Sequence, residues 1–137
     1  MDYFHITLEE PALHSVSNLG LAHLGDCVYE LMVRSYLVST GKCTAKALHR
    51  ATTRLVKASF QCAAAHLLQP FLTDKEQEVF LRGRNAKPKS IPKSSSVMEY
   101  SYATALETLF GWLYLQGEYD RLNQLFDHVL SLEDTAL

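Results

Sequence analysis

Lys and Arg are almost absent from both ends of this 137-residue chain. Residues 1–33 contain no Lys or Arg, and residues 94–137 contain only Arg121. The other basic residues all lie between residues 34 and 93, where only Asp74, Glu76 and Glu78 accompany them. The formal net charge of −2 therefore hides a basic middle between two acidic flanks, and this asymmetry favours a polyanionic partner.

Long apolar runs, a secretion signal and paired cysteines are also missing. No apolar run reaches the roughly 18 residues that a membrane span needs, and the N-terminus shows no basic region followed by an apolar one. We therefore expect no membrane partner. Cys27, Cys43 and Cys62 are odd in number and form no C-x-x-C pair, which predicts reduced thiols in a cytoplasmic protein rather than a zinc site. The sequence has no nucleophile elbow and no glycine-rich phosphate loop either.

The length fits one domain, and the hydrophobic content of 47% is sufficient for a core. No segment alternates with a period of two and glycines are few, so the sequence predicts an all-α fold. Ser17 as N-cap and Gly41 as stop signal predict a first long helix. Thr44 predicts the start of the next helical stretch, which runs to about residue 68 with a break near residues 52–53.

Two capping-box patterns predict the starts of later helices. Thr73 with Glu76 opens a short helix that ends at about residue 84, and Ser96 with Glu99 opens a helix that stops at Gly117. The second of these helices is apolar almost all round, which is typical of a central, buried helix. A last amphipathic helix is predicted over about residues 118–132.

Two acids stand inside apolar helices. Asp26 follows Gly25, and Glu107 lies one helical turn before Gly111. Burying a carboxylate costs several kcal/mol unless it has a partner, and a hard divalent cation such as Mg²⁺ is one partner that would explain both acids. Because a glycine allows two backbones to approach closely, two helices that meet near these glycines could bring both carboxylates to one metal.

A structural role would also account for these residues. A buried acid can accept hydrogen bonds or pair with an arginine, and a glycine within a helix can relieve crowding. Either acid taken alone is explained equally well in this way, so the spacing by itself leaves both interpretations open.

The basic middle contains two sets of residues. One is a segment without acids that Gly83, Pro88 and Pro92 predict to be a loop, and such a loop can follow a phosphate backbone. The other is a stripe on one helix face, for which a solvated surface is the simpler explanation. The candidate nucleic-acid-binding residues from both sets are Arg82, Arg84, Asn85, Lys87, Lys89, Lys93, Lys46 and Arg50.

Taken together, these motifs resemble those of a known family. Residues 19–28 (LGLAHLGDCV) are similar to the ribonuclease III signature, whose core is L-G-D-A-V, and residues 104–111 (TALETLFG) are similar to the family's second motif, E-A-L-I-G. Residues 82–87 (RGRNAK), 48–52 (LHRAT) and 102–104 (YAT) resemble the short branch called Mini-ribonuclease III, which lacks a double-stranded-RNA-binding domain.

The resemblance implies that residues 1–137 form a single catalytic domain with the ribonuclease III endonuclease fold and a basic loop at about residues 82–95. It implies a helical bundle that pairs as a two-fold homodimer and cleaves double-stranded RNA with Mg²⁺, with Asp26 and Glu107 as catalytic, metal-linked acids. It further implies maturation of the large-subunit (23S) ribosomal RNA precursor in bacteria or plastids. A ribosomal protein bound to the substrate would be an additional partner.

The sequence departs from the family pattern at three acidic positions of full-length ribonuclease III, where Leu19, Ala22 and Thr104 stand instead. These departures leave fewer acids around a metal, and they keep one alternative open: a non-catalytic, ribonuclease III-like RNA-binding protein of ribosome assembly. Retention of both Asp26 and Glu107 favours the enzyme.

Overall fold

The computed structural model describes residues 1–41, 44–86 and 96–136, and every regular element within them is helical. The predicted all-α class is therefore confirmed. In chain order, the elements are α1 (Glu10–His14), α2 (Asn18–Ser39), α3 (Ala45–Val56), α4 (Ala58–Leu68), a short 3-10 helix (Gln69–Phe71), α5 (Asp74–Arg84), α6 (Val97–Leu115) and α7 (Tyr119–Ala136).

Local side-chain caps fix the starts of the principal helices where the sequence predicts them. The Ser17 hydroxyl accepts a hydrogen bond from the Gly20 N–H at 3.0 Å. Thr73 and Ser96 each form a complete capping box with the glutamate three residues later. Because each cap satisfies N–H groups that have no partner within the helix, these boundaries depend on only a few neighbouring residues.

The end of the first long helix and the end of the central helix also follow the prediction. Gly41 and Gly117 adopt positive φ angles of 88° and 74°. Only glycine reaches this left-handed region without a steric penalty, so both residues end their helices cleanly.

The second helical stretch breaks at Lys57, so the predicted break near Thr52–Thr53 is wrong. Lys57 has extended backbone angles (φ −64°, ψ 151°) and separates α3 from α4. Thr52 instead continues α3 and is buried in it. The side chain of Gln61 donates to the Val56 carbonyl at 2.8 Å, which satisfies an acceptor at the end of α3.

Helix α6 lies at the centre of the bundle and packs against α2, α4 and α5. Leu106, Leu109 and Phe110 have no exposed surface, as expected for a helix that is apolar on all sides. Within the described ranges, no helix combines the length and the apolarity that a membrane crossing requires. The central position of α6 makes it the element to which the other parts of the site are attached.

A partly buried ion pair joins α5 to α7. Arg121 Nε and its terminal nitrogen each donate to a different carboxylate oxygen of Glu76 at 2.8 Å, and Arg121 also donates to the Phe71 carbonyl at 2.9 Å. Burial alone would raise the pKa of Glu76, but its hydrogen bonds with Arg121 and Thr73 and the charge of Arg121 bring that pKa below its usual value. Glu76 is therefore both the capping acid of α5 and the anchor for α7.

The helix end predicted at about residue 84 is confirmed, so the basic loop predicted at about residues 82–95 is wrong in its first three residues. Arg82 and Arg84 belong to the last turn of α5, and Asn85 is its C-cap. Gly83 continues the helix because it packs against α6, where an added Cβ would lie 2.5 Å from the Thr108 hydroxyl. Residues 87–95 lie outside the described residues.

Candidate active site

The two glycines beside the candidate acids make a reciprocal contact between α2 and α6. A Cβ added at Gly25 would lie 1.6 Å from the backbone oxygen of Glu107, and a Cβ added at Gly111 would lie 2.0 Å from the backbone oxygen of Leu21. No side chain fits at either position, so the helix backbones touch directly. The predicted meeting of two helices at their glycines is confirmed.

This contact brings Asp26 and Glu107 together. Both side chains line one groove of about 450 Å³, into which α2, α4 and α6 all contribute residues. Asp26 is exposed, so the expectation that both acids are buried is wrong for this residue. Glu107 is largely buried, since its side chain projects from the central helix toward α4. The cost of burying a charge therefore applies mainly to Glu107.

The surroundings of Glu107 disfavour its charged form. Burial raises its pKa, and the charge of Asp26 and a hydrogen bond with Asp26 raise it further, to about 9. A hydrogen bond from Gln61 acts in the opposite direction. Burial and, to a lesser extent, the charge of Glu107 also raise the pKa of Tyr29. Within the described part of the chain, no Lys or Arg forms an ion pair with Asp26 or Glu107.

Six polar residues of the groove were not singled out from the sequence as site residues: Glu30, Lys57, Ser59, Gln61, Glu99 and Tyr100. Glu30 follows Asp26 by one helical turn and pairs with Arg34 at 2.8 Å. Glu99 precedes Glu107 by eight residues, and its carboxylate is used in the capping box of α6. Helical spacing could have identified both glutamates, whereas no local signal points to Gln61.

Leu19, Ala22 and Thr104, which stand at positions that are acidic in full-length ribonuclease III, give the groove no further carboxylate. Thr104 lines the groove, but its hydroxyl donates to the Tyr100 carbonyl at 2.9 Å within the same helix. Ala22 is buried and Leu19 is 42% exposed. Over the described ranges, no three His, Cys, Asp or Glu side chains are grouped closely enough to hold a metal ion. Since the carboxylates of Glu30 and Glu99 are engaged by Arg34 and by the capping box of α6, Asp26 and Glu107 are the groove acids without a basic or capping partner.

The candidate RNA-binding residues lie on other surfaces. Lys46 and Arg50 are exposed on α3, and Arg82 is exposed at the end of α5. Arg84 lies over the Tyr102 ring, 5.9 Å from its centre, and donates to the Asn85 side chain at 3.3 Å. These residues do not line the acidic groove. The remaining candidates, Lys87, Lys89 and Lys93, fall outside the described residues.

Comparisons with known proteins agree with these motifs and this geometry. Residues 19–118 match the model of the ribonuclease III domain. The chain is 46% identical to a Mini-ribonuclease 3 of Symbiobacterium thermophilum over 78% of this chain and 82% of that protein. It is 39% identical to a Mini-ribonuclease 3 of Clostridium tetani over 90% and 83%, respectively.

A solved structure shows the same architecture. The crystal structure of a protein from Fusobacterium nucleatum superposes with a TM-score of 0.80 at 30% identity, covering 88% of this chain and 97% of that one. With a matched domain over most of its length and relatives of this similarity, the chain belongs to the ribonuclease III family, in its Mini-ribonuclease III branch.

Proposed function

We propose that this protein is a Mg²⁺-dependent endoribonuclease that cleaves double-stranded RNA. The observation that carries the proposal is the pairing of Asp26 with Glu107, brought into one open groove by backbone contact between α2 and α6. No basic side chain among the described residues forms an ion pair with either acid, although Lys57 also lines the groove, and the family membership assigns the fold to ribonucleases. Two acids without an ionic partner would attract a cation.

The residues present fit a magnesium ion. Mg²⁺ is usually held by one or two carboxylates, with waters and substrate phosphate oxygens completing its shell. Asp26 and Glu107 supply two carboxylates, and burial together with the neighbouring charge of Asp26 raises the pKa of Glu107 to about 9, so its charged form lacks a compensating cation. The chemistry that bound Mg²⁺ supplies is activation of a water and stabilisation of the departing oxygen of a phosphodiester.

Residues of the chain would hold the cation and keep the site open to the substrate. Asp26 and Glu107 would hold the cation, and Glu107 would give up its proton as the cation enters. The groove leaves Asp26 accessible from solvent, as cleavage of a large polymer requires. By family precedent, the products would carry a 5′-phosphate and a 3′-hydroxyl.

Substrate binding would fall to the basic residues outside the groove. The duplex would contact Lys46 and Arg50 on α3 and the segment that begins with Arg82, Arg84 and Asn85, followed by Lys87, Lys89 and Lys93. A-form RNA is recognised mainly through its shape, phosphates and 2′-hydroxyls, so the sequence preference of cleavage should be limited. A two-fold homodimer would place one site on each strand.

The wider role that we propose is maturation of the 23S ribosomal RNA precursor in the cytoplasm, with a ribosomal protein on the substrate as an additional partner. This finer assignment rests on the resemblance to Mini-ribonuclease III and not on any contact in the groove.

The decisive experiment incubates the purified protein with long double-stranded RNA, with and without Mg²⁺. We expect fragments only when the metal is present, and no fragments from single-stranded RNA of the same length. RNA that is bound but stays intact in Mg²⁺ would favour the non-catalytic RNA-binding alternative.

A further inference from the structure

Gln61 is the most deeply buried polar side chain of the groove. Only 3% of its surface is exposed, and it projects from α4 into the wall that faces Glu107. Its Nε2 donates to the Val56 carbonyl at 2.8 Å. A carbonyl oxygen can only accept, so this bond fixes which end of the amide is nitrogen and which is oxygen.

The two ends of the Gln61 amide have different surroundings. The nitrogen has two hydrogens: one bonds to Val56, and the other is available to the carboxyl of Glu107, which lines the same groove. The oxygen, Oε1, is buried and has no hydrogen-bond partner among the described residues. Buried acceptors are rarely left unsatisfied in folded proteins, because they lose their bonds to water without replacement.

The chemistry of a buried amide oxygen suits a cation site. Amide oxygens are hard ligands that carry no net charge and release no proton when a cation binds. A glutamate at this position would add a third negative charge beside Asp26 and Glu107, and a leucine would offer no ligand. Gln61 therefore adds an oxygen without adding a negative charge beside Glu107, whose pKa burial and the charge of Asp26 already raise.

We infer that Gln61 is a third member of the metal site, whose Nε2 positions the Glu107 carboxylate and whose Oε1 becomes an oxygen ligand of the divalent cation, directly or through one water. This inference rests on the proposed function, because it requires Asp26 and Glu107 to hold a cation. It explains both the unpartnered Oε1 and the absence of a third acidic ligand among the described residues.

Metal affinity measured without RNA tests this inference independently of cleavage. Mn²⁺ binds to oxygen sites of this kind and can be followed by the spectroscopic signal of the free ion, with Mg²⁺ as competitor. We expect Gln61→Leu to weaken Mn²⁺ binding by roughly 10-fold or more, as is typical for groups that support a metal site. Gln116→Leu is the matched control, since the Gln116 amide also donates to a helix carbonyl, that of Trp112, but lies outside the groove.

A second variant keeps the inference testable if Gln61→Leu does not fold. Gln61→Asn keeps the amide on a stem one methylene shorter, and it should also bind Mn²⁺ more weakly than the wild type. Wild-type affinity in a folded Gln61 variant, together with weakened binding in Asp26→Asn, would overturn the inference and leave the proposed function intact. No Mn²⁺ or Mg²⁺ binding by the wild type would overturn both.

Discussion

A Cβ added at Gly25 would lie 1.6 Å from the backbone oxygen of Glu107, which is far shorter than a van der Waals contact. Since the obstacle is backbone rather than a flexible side chain, Gly25→Ala must push α2 and α6 apart. We expect this substitution to destabilise the fold by about 3 kcal/mol or more, at the upper end of overpacking effects. Thermal unfolding followed by circular dichroism measures the loss.

The matched control for Gly25→Ala is Gly41→Ala. Among the described residues, nothing beyond its chain neighbours lies within 4 Å of a Cβ added at Gly41, so this change tests the cost of its positive φ angle. We expect a loss of about 1 kcal/mol. An unfolding temperature for Gly25→Ala equal to that of the control would show that the helix contact tolerates a side chain.

Removing the charge of either candidate acid should stop cleavage. Asp26→Asn and Glu107→Gln preserve the size of the side chains but remove a carboxylate ligand. We expect each to reduce the rate of double-stranded RNA cleavage by more than about 100-fold, because even outer partners of metal ligands contribute about 10- to 100-fold. Asp127→Asn, an exposed acid on α7 outside the groove, should cleave at the wild-type rate. Full activity in either groove variant would remove that residue from the mechanism.

Neutralising Arg82, Arg84 and Lys87 together should weaken RNA binding and flatten its dependence on salt. Each lost phosphate contact reduces the steepness of log K against log salt by about 1. The slope of the triple glutamine variant should therefore be shallower than that of the wild type by up to about 3. Arg54→Gln is the control, because Arg54 is paired with Glu133. An unchanged slope in the triple variant would exclude these residues from the phosphate contacts.

The protonation of Glu107 gives the metal-free protein a characteristic pH dependence. In the unfolded chain the carboxyl ionises near its ordinary pKa of 4.5, whereas in the folded protein it keeps its proton up to about 9. Between these values the folded state binds more protons, so its stability falls as pH rises. Glu107→Gln removes this effect. With EDTA present, the unfolding temperature of the variant should therefore rise relative to the wild type from about pH 5 to about pH 8. Parallel curves for the two proteins would contradict the raised pKa.

The sequence alone predicts those features that depend on a few neighbouring residues. The caps at Ser17, Thr73 and Ser96 satisfy backbone groups within their own first turn, and each helix begins where these residues indicate. The pairing of Asp26 with Glu107 was accessible as one of two interpretations, because each acid has a glycine beside it or one turn away that allows two helices to approach closely.

The remaining features arise from contacts between distant segments. The break at Lys57 depends on how α3 and α4 pack, and the threonines that resembled a break point instead continue α3. The exposure of Asp26 depends on which face of α2 remains uncovered. Gln61 carried no local signal, since its significance lies in the bonds of its amide to Val56 and Glu107.

The ion pair between Glu76 and Arg121 has a consequence for the order in which the protein can fold. The two residues are 45 positions apart, so the ribosome completes α5 well before it adds the arginine that neutralises the capping acid. Until then, burying Glu76 would leave an unpaired charge inside the core. Arg121, the sole Lys or Arg of the last 44 residues, therefore lets α5 dock fully only after most of the chain has been synthesised, when α6 and its Glu107 are already present.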